Sequence, residues 1–418
     1  MPVVIAVIGT AFAIVIAIIL LKRRGTPKFD IAVADDQDVA ALLPALAGLT
    51  GGVVFRGNEV TVLQDAAIFT AMLRDIDAAE HSVHFETFVW TDGELAERVA
   101  GHLIAAQRRG VRVRLLLDAV GASRADRERL ERVKDAGIEL GFYRKLRPWN
   151  LFHMNHRTHR KLLIIDGRIG YCFGHGVADQ WLKASKGEPC WRDTGVRIEG
   201  AAVAGLQQVF FQNWMETTLC APLEPDTFPV PAEPGEVDVH VISSSPEDYH
   251  SNVGLIFALI LAAAKEEVLI QNPYFVPEPD FIDSLASAVR RGVRVRMILP
   301  GAGTDSPFVA LAGRHLYPAL LAAGVELWEY QPTLCHQKIV VADKRWCHVG
   351  STNLDARSLE LNAEVSVGID CPDTARELEA AFEKDLLDSR RIDTGVLARV
   401  PWYERLGAAC AYRFHGQL

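Results

Sequence analysis

Two segments of the chain share their sequence and their internal spacing, and this duplication limits the possible folds more than any other feature. The stretch AAQRRGVRVRLLLD around Arg109 returns as SAVRRGVRVRMILP around Arg291, 182 residues later. A His-x-Lys-x4-Asp pattern occurs at His159 and again at His336, 177 residues later. Because the two offsets nearly agree, we expect a duplicated domain rather than two unrelated motifs.

Within each copy, apolar helix patterns alternate with β-rich runs. Helices are predicted over residues 66–79 and 253–264, and strands over residues 83–90, 111–117, 268–275 and 293–299. The runs LLIID and IVVAD inside the motifs are continuously apolar, which is typical of strands covered on both faces. The alternation predicts an α/β fold built from two tandem α/β/α domains.

A long apolar stretch near the start of the chain predicts a membrane anchor. Residues 3–21 carry no charge, and at about 1.5 Å per residue they can cross a bilayer core of about 30 Å. The basic residues 22–24 follow, and such charges stay on the cytoplasmic side. We therefore predict one transmembrane helix within residues 1–24 and a cytoplasmic remainder. A secretory signal and a buried core helix are the alternatives.

A proline-rich stretch marks the predicted boundary between the two copies. Residues 221–237 contain five prolines among charged residues, which is typical of a semi-rigid surface connection. The prediction is a first domain over residues 25–220, a linker over 221–237 and a second domain over 238–418.

The composition excludes some classes of protein. Charged residues make up 23% of the 418 residues and apolar residues 49%, which indicates a globular protein rather than a disordered one. The formal net charge of −9 argues against a dedicated nucleic-acid-binding protein. The seven cysteines are scattered, and no Cys/His spacing resembles a zinc site. We therefore predict no disulfide framework, no zinc site and no cofactor.

The repeated motif supplies two imidazoles and two ammonium groups as candidate catalytic groups. In a strand, residues two apart point to the same side, so His159 and Lys161 share a face, as do His336 and Lys338. Lysine supplies positive charge to phosphate oxygens, and a neutral imidazole can attack phosphorus. The pattern therefore predicts chemistry on a phosphate ester.

Four further polar residues belong to the two motifs or follow them. Asp166 and Asp343 complete the motifs as candidate catalytic residues, and a structural role in a turn is the alternative because they lie at strand ends. After the second motif, Ser351 and Asn353 in the sequence GSTN offer a hydroxyl and an amide that suit phosphate binding.

Two carboxylates are candidates for orienting the histidines. Asp193 in WRDTGVRI and Glu364 in LNAEVSVGI stand at comparable points of the two copies, where each could hold a histidine through its second ring nitrogen. The first copy departs from the second because Gly176 replaces the residue that corresponds to Asn353. Either the first copy binds phosphate with fewer side chains, or Gly176 makes room for a bulky lipid group.

These motifs carry a family resemblance. The stretches HRTHRKLLIIDGRIGYCFGHGVAD, WRDT, QNPYFVPEPD and GSTNLDARSLELNAE resemble segments of the phospholipase D superfamily, and above all of the bacterial cardiolipin synthases. The resemblance covers roughly residues 50–390. It implies two phospholipase D-like domains with pseudo-two-fold symmetry, one shared active site and no metal. It also implies that His159 is the nucleophile and His336 the general acid and then base, although the residues alone do not decide between them.

The resemblance implies a membrane-associated phosphatidyltransferase that makes cardiolipin from phosphatidylglycerol through a phosphohistidine intermediate. A phosphodiesterase that hydrolyses phospholipid or nucleic acid is the first alternative, and a non-catalytic membrane scaffold is the second. The expected partners are phospholipids and the membrane, without nucleic acid, and the sequence does not predict the oligomeric state. With the anchor, the protein is expected in the bacterial inner membrane. Residues 400–414 are predicted to form either an ordinarily packed helix or an interfacial one.

Overall fold

The computed structural model describes residues 37–145, 155–183, 189–222, 224–248 and 250–418, together with positions 10 and 31. The predicted anchor, residues 1–24, lies outside the described residues except for position 10. Within the described ranges, we find no helix with the length and apolar character that crossing a bilayer requires.

The first half of the described chain alternates helices and strands as predicted. Its helices are α1 (Val39–Leu49), α2 (Ala67–Ala78), α3 (Glu94–Arg108), α4 (Arg127–Asp135) and α5 (Ala202–Thr218). Its strands are β1 (Val54–Gln64), β2 (Ser82–Thr87), β3 (Arg112–Asp118), β4 (Glu139–Tyr143), β5 (Arg157–Thr158), β6 (Leu162–Ile165), β7 (Ile169–Phe173) and β8 (Thr194–Glu199). A single 3-10 turn, Asp179–Trp181, precedes β8.

The second half has corresponding elements. Its helices are α6 (Asn252–Ala263), α7 (Pro279–Arg290), α8 (Pro307–Arg314), α9 (Tyr317–Ala322), α10 (Pro372–Leu387), α11 (Thr394–Ala398) and α12 (Trp402–Tyr412). Its strands are β9 (Val237–Ser244), β10 (Glu267–Gln271), β11 (Phe275–Val276), β12 (Arg294–Pro300), β13 (Glu326–Tyr330), β14 (Ile339–Ala342), β15 (Trp346–Gly350), β16 (Leu354–Asp355), β17 (Asn362–Asp370) and β18 (Ser389–Ile392). A π-helical turn, Arg357–Leu361, precedes β17, and a 3-10 turn, His415–Gln417, follows α12.

One sheet runs through both halves, and β1 and β9 pair antiparallel at its centre. Outward from β1 the order is β8, β7, β6, β2, β3 and β4; outward from β9 it is β17, β15, β14, β10, β12 and β13, with β18 at the edge. In the first half, β2 follows α2 and pairs in parallel with β3, which follows the Arg-Arg-Gly sequence. In the second half, β10 follows α6 and pairs in parallel with β12, which follows the second Arg-Arg-Gly sequence. The strand order of one half is therefore repeated in the other.

Both faces of the sheet are covered, which explains the continuously apolar strands. In β6, Leu163 and Ile165 face a core with α2 and α3, whereas Leu162 and Ile164 face the opposite core. That second core contains α5, α10 and strands of both halves. The second half has its own outer core around α6 and α7. Because the second core is shared, the motifs of the two halves are held in one packed body.

Two predicted strands are shorter than expected because the chain leaves the sheet. The strand predicted over 83–90 ends at Thr87, and Phe88 and Val89 then turn to line a cleft. The strand predicted over 268–275 ends at Gln271, and Pro273, which has no N–H to donate, follows two residues later. These early endings deliver side chains from the carboxyl ends of parallel strands to the cleft.

The predicted linker lies against the first half. Apart from residue 223, residues 221–236 are described and form no helix or strand, and β9 begins at Val237. Arg112 and Arg114 of β3 form ion pairs with Asp226 and Glu224, at 2.5 Å each. The exact domain boundaries remain a prediction.

Candidate active site

Each histidine is positioned by the opposite half of the chain. Strand β5, directly before His159, pairs in parallel with β17, and His159 N donates to Ala363 O at 2.8 Å. In the second motif, a bridge joins Arg192 to Cys335, and His336 N donates to Arg192 O at 2.8 Å. These backbone contacts bring the two motifs together across the shared core.

The two predicted orienting carboxylates both bind histidines, and they do so crosswise. His159 Nδ1 lies 3.0 and 3.1 Å from the two carboxylate oxygens of Glu364, and His336 Nδ1 lies 2.7 Å from Asp193 Oδ2. Because a carboxylate only accepts, Nδ1 of each imidazole carries the donated hydrogen. The Nε2 atom of each ring is therefore the nitrogen that can take part in chemistry.

Each buried carboxylate is itself held by a hydrogen-bond donor, and the two donors differ. The hydroxyl of Ser351 donates to Glu364, so this side chain lies behind the carboxylate instead of on the phosphate as predicted. Gly174 replaces Ser351 in the first copy, and a Cβ there would clash with Asp193 Oδ1. Asp193 instead accepts from the indole Nε1 of Trp181 at 3.0 Å. Trp181 was not predicted, because it has no counterpart in the repeat.

Both motif lysines are buried beside the histidines. Lys161 Nζ donates to His159 O at 2.8 Å, and Lys338 Nζ donates to His336 O at 2.5 Å. Lys338 Nζ also lies 2.9 and 3.1 Å from the ring nitrogens of His336. Burial lowers the pKa of Lys161 to about 7 and that of Lys338 to about 8. A bound anion would therefore stabilise the charged form of both lysines.

The imidazoles are neutral at neutral pH in this site. Burial, together with the positive charge of Lys161, lowers the pKa of His159 to about 4, although Glu364 opposes the shift. Burial and the charge of Lys338 lower the pKa of His336 to about 3, against the effect of Asp193. A neutral imidazole with a free Nε2 lone pair is the form that can act as a nucleophile.

Asp166 and Asp343 have a structural role in place of the catalytic contact predicted for them. The carboxylate of Asp166 accepts from the backbone amides of residues 80–82, at 2.7 to 2.9 Å. Asp343 accepts in the same way from residues 265–267, at 2.8 to 3.0 Å. Both residues adopt the left-handed backbone conformation, with φ of 53° and 51°. Neither residue lines the cleft. The turn role, which the sequence allowed as the alternative, is the one that these contacts support.

The alanine variants of these aspartates should be unstable rather than chemically inactive. Asp166→Ala and Asp343→Ala should each lower the free energy of unfolding by about 2–4 kcal/mol, because three amides lose a charged acceptor and alanine is strained at this φ. Urea unfolding measures the loss. Asp166→Asn and Asp343→Asn keep an acceptor and tolerate the conformation, so they should lose less. Full stability with lost activity in the alanine proteins would contradict the structural role.

A cleft of about 390 Å³ contains both histidines. Its lining includes four aromatic residues, Phe88, Trp181, Trp191 and Tyr274. It also includes five polar residues, Arg157, Asn353, Asp355, Arg357 and Asn362. The ring centroids of Trp181 and Trp191 lie 5.2 and 5.9 Å from that of His336. In the described parts of the chain, no group of three or more His, Cys, Asp or Glu side chains is placed to hold a metal ion.

Gly176, which stands where the second copy has Asn353, does not enlarge the cleft. A Cβ at Gly176 would lie 2.7 Å from Val89 Cβ and 2.9 Å from the Trp181 ring, so there is no space there for a lipid group. That explanation of Gly176 is therefore wrong, because packing demands the glycine. Asn353 does line the cleft, and phosphate binding by Asn353 remains a prediction.

Comparison with known proteins shows the family. The sequence matches the family model described as "Cardiolipin synthase, PLD-like domain" over residues 72–177 and 258–386, more than half of the chain. Cardiolipin synthase 2 of Bacillus cereus is 31% identical, over 89% of this chain and 73% of that protein. The major cardiolipin synthase of Bacillus subtilis is 33% identical, over 80% of this chain and 70% of that protein.

A solved structure supports the fold. The phosphatidylserine synthase of Haemophilus influenzae Rd KW20 superposes with a TM-score of 0.65 at 13% identity, and the match covers 88% of this chain and 97% of that one. At this identity the likeness concerns the fold alone. The family match and the relatives cover both halves, including both histidine motifs. The chain therefore belongs to the cardiolipin synthase family of phospholipase D-like proteins.

Proposed function

We propose that this protein is a phosphatidyltransferase that makes cardiolipin from two molecules of phosphatidylglycerol. The observation that carries the proposal is the pair of imidazoles in one cleft, each hydrogen-bonded through Nδ1 to a buried carboxylate of the opposite half. Two buried lysines beside them suit a phosphodiester anion. The relatives named as cardiolipin synthases support the choice of lipid chemistry.

The first step forms a covalent intermediate. His159 Nε2 attacks the phosphorus of a phosphatidylglycerol, and the bond from phosphorus to the glycerol oxygen breaks. His336 gives a proton to the departing glycerol. The charge of the phosphodiester offsets that of Lys161 and Lys338, so substrate binding raises the pKa of His336 from about 3 in the empty site. The product of this step is a phosphatidyl group on histidine and free glycerol.

The second step transfers the phosphatidyl group to a lipid. A hydroxyl of a second phosphatidylglycerol attacks the phosphorus as the bond from phosphorus to nitrogen breaks, and His336 Nε2 takes the hydroxyl proton. The lysines stabilise the charge that develops on the phosphoryl oxygens. If water attacks instead, the product is phosphatidic acid and the enzyme is a hydrolase.

The contacts of the two lysines support His159 as the nucleophile. Nδ1 of His336 carries the hydrogen that it donates to Asp193, so the ring nitrogen that accepts from Lys338, 3.1 Å away, is Nε2. Lys161 instead donates to the backbone oxygen of His159 and leaves the Nε2 lone pair of that ring free. An ammonium against Nε2 suits a residue that exchanges protons better than one that attacks phosphorus.

We infer that the two halves are tandem phospholipase D-like domains with pseudo-two-fold symmetry, with boundaries at residues 25–220, 221–237 and 238–418. The matching strand orders, the duplicated segments and the two family matches support this inference. Superposition of the two halves in an experimental structure tests it. The superposition should place His159 on His336, and different strand connections would contradict it.

We also propose that the protein works at the bacterial inner membrane, anchored by residues 1–24 with the catalytic halves in the cytoplasm. The uncharged run of residues 3–21 and the basic residues after it support the orientation. A reporter at the C-terminus that is active only outside the cytoplasm would contradict it.

A second membrane contact is proposed on α12. Its buried side packs through Ala408 and Ala411, whereas Trp402, Tyr403 and Leu406 are 57–70% exposed. The exposed Phe414 touches Phe308, and the 3-10 turn after it leads to Gln417 at the cleft. The exposed Arg405 and Arg413 form no ion pair in the described part of the chain and suit anionic lipid. These features support the interfacial alternative for residues 400–414.

Serine substitution of this face should impair turnover at a membrane surface. In a triple variant with Trp402→Ser, Tyr403→Ser and Leu406→Ser, the ratio of kcat/KM on phosphatidylglycerol vesicles to that on dispersed short-chain lipid should fall about tenfold, because about 1.4 kcal/mol of interfacial binding is lost. A triple change at the exposed residues Leu219, Val230 and Leu387 is the matched control. Equal ratios in the two triple variants would contradict the contact.

Lipid product analysis tests the proposed function. The purified protein is incubated in detergent with phosphatidylglycerol and no added metal, and the products are identified by mass spectrometry. Cardiolipin and glycerol in equal amounts, both lost with His159→Ala, are expected. Phosphatidic acid as the sole product would instead make the protein a phospholipase, and the absence of any lipid turnover would reject lipid chemistry.

A further inference from the structure

Arg357 lines the cleft and forms no ion pair with any described carboxylate. It begins the π-helical turn before β17, and its guanidinium donates to Asn155 Oδ1 at 2.7 Å and to Asn155 O at 3.4 Å. Within the described residues, no carboxylate forms an ion pair with it. Burial lowers its pKa. Buried charges are usually paired, so an unpaired guanidinium in a cleft indicates a site for an anion.

Asp355, which precedes the same turn, forms no ion pair with Arg357 within the described residues. Asp355 Oδ1 accepts from Ser358 N at 2.7 Å, and burial raises the pKa of Asp355 to about 7. Arg157 adds a second guanidinium to the lining of the cleft, and it forms an ion pair with Asp118 at 3.7 Å. Of these two arginines, Arg357 is therefore the one for which no ion pair is found within the described residues.

Two amides that line the same cleft have side-chain oxygens without partners in the described residues. Asn353 and Asn362 line the cleft and are nearly buried, and the Oδ1 atom of each has no hydrogen-bond partner among the described residues. An amide oxygen accepts from a hydroxyl, and an amide nitrogen can donate to a phosphate oxygen. A guanidinium without an ion pair and two amide oxygens without partners match a ligand that carries both a phosphodiester and hydroxyls.

The proposed reaction has a second lipid substrate, the acceptor, that carries these groups. The lysines and histidines act on the phosphate of the donor lipid, but the acceptor lipid brings its own phosphate and glycerol hydroxyls. We propose that Arg357, with Asn353 and Asn362, binds the phosphoglycerol head of the acceptor lipid and presents its hydroxyl to the covalent intermediate. This inference rests on the proposed phosphatidyl transfer and identifies the acceptor site within it.

The partition of the covalent intermediate tests the acceptor site. Lipid hydroxyl and water attack the same intermediate, so the ratio of cardiolipin to phosphatidic acid does not depend on the donor step. With phosphatidylglycerol in detergent, Arg357→Gln should lower this ratio at least tenfold, because the acceptor loses an ionic contact worth about 1.4 kcal/mol or more. Asn362→Ala, a second variant that removes only an amide, should lower it less.

A phosphate-free acceptor provides the control. With 1-butanol added, the ratio of phosphatidylbutanol to phosphatidic acid should be equal in the wild-type and Arg357→Gln proteins, because butanol has no phosphate to bind. Arg376→Gln changes an exposed arginine that pairs with Asp373 and should alter neither ratio.

Two results would overturn the inference. If both ratios fall together in Arg357→Gln, or if the cardiolipin ratio is unchanged in both variants, Arg357 does not select the acceptor. In either case wild-type protein still makes cardiolipin, so the proposed function stands. If the wild-type protein makes no cardiolipin, the proposed function fails first and the acceptor site with it.

Discussion

His159→Ala and His336→Ala should each reduce phosphatidyl transfer by at least about a thousandfold, because one removes the nucleophile and the other the proton donor and acceptor. The two residues act in one sequence of steps, so the double variant should be hardly slower than either single one. Steady-state cardiolipin formation by purified protein measures both effects.

A surface histidine provides the control for these variants. His102→Ala on α3 removes a histidine that pairs with Asp77 at the surface, and it should leave turnover within about twofold of the wild type. If either catalytic variant kept more than a tenth of wild-type turnover, the histidine chemistry would be refuted. If the fold-reductions of the two single variants multiplied in the double variant, the two histidines would not act in one series of reaction steps.

Glu364→Gln and Asp193→Asn should each lower turnover by about 10²–10⁴-fold while the fold persists. Each carboxylate fixes the Nδ1–H form of a histidine, and an amide in its place can donate a hydrogen bond instead and reverse the form. The Nε2 atom would then carry a hydrogen and could neither attack phosphorus nor take a proton. Turnover and circular dichroism of both variants measure the two parts of this prediction.

The crosswise pairing gives these variants a distinct signature. In ¹⁵N NMR spectra, Glu364→Gln should change the ring nitrogens of His159 and leave those of His336 nearly unchanged. Asp193→Asn should do the reverse. Glu377→Gln, at an exposed position of α10, is the matched control. A change at His336 in the Glu364→Gln protein would show that each half orients its own histidine.

Much of the fold follows from local sequence patterns. The nearly equal offsets of the duplicated segments can be read directly from the sequence, and the apolar strands reflect a composition and a period that neighbouring residues determine. The helices and the strands β3 and β12 lie within one or two residues of prediction. The early end of β2 was missed because it depends on contacts around the cleft.

The candidate site could be predicted in its residue types but not in its pairings. Asp193 and Glu364 were found as orienting acids, yet only the pairing of β5 with β17, which joins segments about 200 residues apart, determines that Glu364 serves His159. The hydroxyl of Ser351 contacts Glu364 of β17, and this contact between neighbouring strands does not follow from the local GSTN pattern. Trp181 has no counterpart in the second copy, so comparison of the two copies could not indicate it.

The proposed mechanism requires that His159 carries the phosphatidyl group between the two steps. The measurement that tests this requirement is rapid acid-free quenching of the wild-type protein during turnover of phosphatidylglycerol, followed by peptide mass spectrometry. A phosphatidyl adduct on His159 is expected in the wild-type protein, and no adduct is expected in the His159→Ala protein. An adduct on another residue, or transfer without any adduct in the wild-type protein, would contradict the proposed mechanism.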